Sequence, residues 1–210
     1  MEQKGISLTN WSYPQPRTGF TGFIDRLVGP GATKAELIIQ FSFALCAGLA
    51  MLTYALIAKL PWTGWQIAVA SYLAFDICGG IATNATSSAK RWWHREEPRH
   101  LKNHAIFITA HFYMPLLITL AFFPRDWTFF VVTYGYLLIA AAIIVTSPLY
   151  LRRPVAFILY TGAIIMNGFF IEPVHGLEWF IPFFYLKLLM SHLVREEPYR
   201  PAWEQKSNDG

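Results

Sequence analysis

Asp76, His111 and Lys187 are ionisable side chains set inside long apolar runs, and His94, His100, His104 and His192 gather near the ends of those runs. A carboxylate, an imidazole and an amine are groups that transfer protons. A carboxylate deep in hydrocarbon costs at least ~2.5–3.5 kcal/mol unless it is paired, wetted or protonated. Asp76 therefore needs a partner, and His111 matches its expected depth best, with Lys187 as the other ionisable group in the same half. Asp76, His111, Asn84 and Lys187 form the candidate catalytic set. Each also has a structural reading: a carboxylate bridging two helices, a satisfied core histidine, or a lysine that snorkels to the interface.

The turn "KRWWHR" supplies Lys90, Arg91, His94 and Arg95 as candidate substrate-binding groups for an anionic headgroup. The competing reading is a basic anchor with Trp92 and Trp93 in the aromatic belt. His100 and His104 stand about one helical turn apart, so both can reach one divalent metal, with His192 or His94 completing the set. His104 and His111 lie about 10.5 Å apart along a helix axis, too far for one coordination sphere. Haem fits less well than a divalent metal, because His111 has no partner at its depth.

These residues must be held by membrane helices. The chain has 210 residues, 54% hydrophobic and only 14% charged, against about 25% charged in soluble domains. Six runs approach the ~20 residues that a bilayer crossing needs: Glu36–Ala58, Gln66–Ser87, His104–Phe123, Phe129–Ser147, Val155–Ile171 and Trp179–Val194. The hinges carry breakers or charges, as in "KLPWTG", "FPRDW" and "SPLYLRRP". Thr33 and Glu36 have capping-box spacing at the first helix start. The fold class is all-α: a polytopic integral membrane protein, a six-transmembrane-helix bundle. Residues 1–35 form an N-terminal segment, 36–194 the membrane domain and 195–210 a polar tail. "FTGFIDRLVG" suits a short interfacial helix, and the N-terminus lacks a signal peptide's apolar core.

At 100° per residue, Asp76, Gly80, Thr83, Ser87 and His94 share one face of the second helix if it runs unbroken. His100, His104 and His111 fall within an arc of about 40° on the third. A short turn makes the two helices antiparallel neighbours, so the stripes can face each other as a polar cleft.

Of the 17 Lys and Arg, only Lys59 and Arg125 fall on the far side of six spans, and Lys187 lies inside the last. The excess on the near side places both termini in the cytoplasm of a multi-pass cell-membrane protein, an inner-membrane setting. Membrane lipids and a lipid-soluble small molecule are the expected partners. Nucleic acid is not, because the basic residues sit beside spans. Cys46 and Cys78 read as reduced small hydrophobes, and the sequon at Asn84 carries no meaning in a cytoplasmic turn. "REEP" at Arg95–Pro98 and Arg195–Pro198 repeats within chance expectation. Nucleophile motifs and phosphate-binding glycine loops are absent from the sequence. Three classes stay open: a small membrane enzyme acting on a lipid or lipid-soluble substrate, a transporter or proton conductor using Asp76, His111 and Lys187, and a scaffold. The one-sided cleft favours the enzyme.

Overall fold

The computed structural model describes residues 14–95, 100–172 and 174–196, with the His100 side chain outside that set. The first 13 residues, residues 96–98 of the first "REEP" segment and the tail from residue 197, which takes in the last two residues of the second, also lie outside it. Among the described residues every regular element is helical. The order is α1 (Gly19–Val28), α2 (Lys34–Ile57), α3 (Gly64–Ala85), α4 (Ser87–Trp93), α5 (His100–Ala110), α6 (Tyr113–Phe122), α7 (Thr128–Thr146), α8 (Leu149–Phe170) and α9 (Phe180–Tyr185). A π-helical segment, Leu186–His192, continues α9.

Among the described residues five stretches are long and apolar enough to cross a membrane: Lys34–Ile57, Gly64–Ala85, Leu101–Phe122, Thr128–Thr146 and Leu149–Phe170. Large apolar side chains such as Ile38, Leu49, Ile57, Ile139 and Ile158 are exposed along them. That is the surface hydrocarbon would cover, as in a multi-pass membrane protein. The fifth helix is longer than expected, because it starts at Leu149 with Pro154 still in its opening turns. The sixth expected span differs. Trp179–Val194 becomes a six-residue helix and a seven-residue π segment, which rise together only about 20 Å of a ~30 Å core. It is the most enclosed part of the chain, with Phe180, Phe184, Tyr185, Leu188 and Leu189 buried.

Local chemistry sets the boundaries. Thr33 and Glu36 form the capping box that opens α2, and Thr63 with Gln66 does the same for α3. The second helix does not run unbroken to His94. Thr86 takes an extended conformation (ψ 151°), and its hydroxyl accepts from the Ala89 N–H to cap α4. The third is interrupted between α5 and α6 at His111 and Phe112. Pro115 has no N–H to give the His111 carbonyl four residues back, which ends the regular ladder there. The His111 and Phe112 amides turn instead to Ile108 and Thr109, three residues back.

One end of the bundle gathers three parts of the chain. Ser88 Oγ donates to the Val28 carbonyl at 2.9 Å, its N–H donates to Glu36 Oε1 at 3.0 Å, and Lys90 Nζ donates to the carbonyls of Ser191 and Val194, both at 2.6 Å. Gly29 makes this junction fit: its φ is +88°, and a Cβ there would lie 2.3 Å from the Ser88 backbone. At the opposite end Trp62 packs edge-on against Phe122, and Gln66 Nε2 donates to the Ala121 carbonyl.

Candidate functional site

Asp76, midway along α3, has two direct partners. Lys187 Nζ donates to its Oδ1 at 3.0 Å, and the Tyr113 hydroxyl donates to its Oδ2. Lys187 stands at the start of the π segment, a geometry often found where a helix carries function. Tyr113 opens α6 immediately after the break that Pro115 imposes. Lys187 reaches Asp76 across Gly80: a Cβ at that glycine would sit 2.2 Å from Lys187 Cε. The Lys187 side chain is 4% exposed and that of Asp76 27%, so the ammonium is enclosed while the carboxylate keeps an open side.

That open side faces a cavity of about 360 Å³. Asp76, Tyr113, Lys187, His111 and Asn84 all line it, which brings the four candidate catalytic residues to one space. His111 and Asp76 share the cavity without a hydrogen bond between them. The His111 Nδ1 lies 2.6 Å from the Phe107 carbonyl. A carbonyl only accepts, so Nδ1 carries the proton and Nε2 of the neutral ring is left as an acceptor. The Thr83 hydroxyl donates to Gln40 Oε1 at 2.6 Å, and both residues line the same space. Its apolar wall includes Ile24 and Leu27 of α1, Phe41 of α2 and Phe75 of α3.

The histidines of the basic end form a separate group. His104 Nδ1 and His192 Nε2 are 3.0 Å apart, and His94 Nε2 donates to the His192 carbonyl at 2.9 Å. The Phe107 ring stacks on His192 at 3.7 Å between centroids and packs at 4.4 Å against His111, so it stands between this group and the cavity. Burial, with His104 and Lys90 adding positive charge, holds the His94 imidazole well below its ordinary pKa. His104 and His192 meet, with the His94 ring beside them, while the His100 side chain lies outside the described residues. Among the described residues no three His, Cys, Asp or Glu side chains are arranged to hold a metal ion. His104 and His192 direct a nitrogen at each other, and His94 directs one at a carbonyl.

The substrate-binding set lies away from the cavity, on α4 and just beyond it. Lys90 caps the end of the π segment, and its burial, partly offset by the charge of Glu196, brings its pKa down to about 8. Arg91 is buried, and the Arg95 guanidinium lies 3.8 Å over the Trp92 ring. Outside the cavity, Cys46 is exposed and Cys78 buried, both as free thiols. Glu172, Glu178 and Asn167 border a second, smaller cavity of about 120 Å³, which shares no lining residue with the first.

Sequence reading missed Tyr113 and Gln40. Both carried a signal: a tyrosine two places beyond His111 and a glutamine inside the first apolar run are polar groups at depths where each needs a partner. No family of known proteins matches the chain, and neither a curated protein nor a solved structure is similar to it.

Proposed function

We propose that this protein is a small integral-membrane enzyme that performs acid–base chemistry on a lipid or lipid-soluble substrate held in the cavity beside Asp76. The observation that carries this reading is the Tyr113–Asp76–Lys187 chain opening on a cavity with an apolar wall. Two donors hold the carboxylate in place, and its exposed side faces the cavity, where a substrate proton can reach it. His111, with Nε2 as an acceptor, is a second base on the same space. Asn84 and Gln40 orient the substrate, and Lys187 balances the charge that moves. Both termini lie on the cytoplasmic side in this reading. The meeting of residues 28–36, 88–90 and 191–194 at one end supports one side for both ends of the described chain, and the Lys and Arg excess there favours the cytoplasm.

A second reading, proton conduction through Asp76 and Lys187, has the buried ion pair in its favour. It requires a continuation toward Glu172 and Glu178, whose cavity shares no residue with the first. One experiment separates the two. Membranes of cells expressing the wild type and Asp76→Asn are compared by lipid mass spectrometry, and the purified proteins are tested for proton flux in liposomes. A lipid species altered by the wild type alone supports the enzyme. Unaltered lipids, with flux abolished by the substitution, overturn it in favour of conduction.

A further inference from the structure

Gln40 and Asn84 are 1% and 5% exposed, and the amide nitrogens Nε2 of Gln40 and Nδ2 of Asn84 have no hydrogen-bond partner among the described residues. A buried, unsatisfied donor is destabilising and calls for an explanation. Both residues line the cavity beside Asp76. The Gln40 carbonyl oxygen already accepts from Thr83, which leaves its NH₂ as the group available to a ligand. Two primary amide donors on one wall ask for acceptor oxygens.

Charge narrows the class. The charged side chains of the lining are Lys187 and Asp76, which compensate each other at 3.0 Å, and the amides are neutral. A phosphate entering here would be stripped of water without an uncompensated cation to meet it, a large penalty. A neutral carbonyl oxygen carries no such cost. The opposite wall sets the rest of the molecule. Leu27, Phe41 and Phe75 line the cavity and are each between 41% and 49% exposed on the outer surface, so the space opens sideways between α1 and α2 through apolar side chains. A ligand tail can run out there into hydrocarbon, and the volume suits a compact polar head.

We propose that the cavity binds a lipid-soluble molecule whose uncharged head presents carbonyl oxygens to the amides of Gln40 and Asn84, entering laterally from the bilayer past Leu27 and Phe41. This rests on the reading of the cavity as the working site and names its substrate class. A quinone ring and the ester carbonyls of a glycerolipid share that chemistry.

The test is equilibrium binding to the purified full chain in detergent, with three probes: a decyl-substituted benzoquinone, dioctanoylglycerol and dioctanoyl phosphatidic acid. One of the two neutral probes binds, and Asn84→Leu and Gln40→Leu each weaken it about tenfold, the worth of one hydrogen bond. Which neutral probe binds identifies the source. Asn84→Leu also melts at a higher temperature than the wild type, because it removes an unpartnered donor. If a leucine variant fails to fold, the infrared carbonyl band of the bound probe in the wild type decides: a shift to lower wavenumber supports the amide contacts, and an unshifted band overturns them. Tightest binding by the phosphatidic acid, failure of both neutral probes, or affinity indifferent to both variants overturns the proposal. The readout is binding, not turnover. Amide-dependent binding in a protein that leaves membrane lipids unaltered would sink the acid–base reading and leave this inference standing.

Discussion

Gly80 shows how a single position governs the site. Its missing Cβ is the space Lys187 occupies on its way to Asp76. Gly80→Ala gains about 1 kcal/mol of helix propensity. Pushing the buried lysine off its carboxylate costs about 3–5 kcal/mol. The expected result is a net loss of roughly 2–4 kcal/mol in thermal unfolding of the detergent-solubilised protein. A stabilised variant would show that the lysine does not need that space. Asp76, Lys187, His111 and Asn84 were legible from sequence because each is a polar residue in a costly place. Their pairing was not. Depth alone favoured His111 as the partner of Asp76, whereas the choice of Lys187 depends on which face the π segment turns inward and on the gap at Gly80. Lys90 was read from its charge as a headgroup ligand, and only the position of Val194 reveals it as a cap.

Pro115 plays the corresponding role among the elements. Its lack of an N–H separates α5 from α6, lets the His111 side chain hold the Phe107 carbonyl, and aims Tyr113 at Asp76. Pro115→Ala supplies the missing N–H four residues beyond His111, whose carbonyl meanwhile accepts from the Met114 N–H at 3.2 Å, and lets one helix run from Leu101 to Phe122. Slower amide exchange at residues 111–114 is expected, with stability raised by about 1 kcal/mol for the added hydrogen bond. On the proposed enzyme reading, lipid turnover in membranes of expressing cells is expected to fall at the same time, because Tyr113 leaves the carboxylate. Unchanged exchange would mean that something other than the proline holds the break. The five long helices were readable from apolar length, and the α2 start from its capping box. The breaks at Thr86 and at His111 were written in local chemistry, an N-cap hydroxyl and a proline, that hydropathy counting passes over. The broken second helix is why His94 joins His104 and His192 instead of the Asp76 face.

At the scale of the whole molecule, the basic end is held by buried polar contacts. Lys90 ties α4 to the close of the π segment through two carbonyls at 2.6 Å. Composition and cation asymmetry made a multi-pass membrane protein legible, but a lysine enclosed within the fold looks the same in sequence as one facing headgroups. Titration distinguishes them. Burial lowers the Lys90 pKa from 10.5 to about 8, so between those values the unfolded chain holds the extra proton. Stability then rises with pH across that window, and the effect is complete once pH passes the unfolded value. The difference in melting temperature between the wild type and Lys90→Met, followed from pH 7 to 11, should therefore grow in favour of the wild type above about pH 8. Other lysines and tyrosines titrate in both proteins and drop out of the difference. A lysine with the same pKa in the folded and unfolded chain, as expected of one on the open surface, would leave that difference flat.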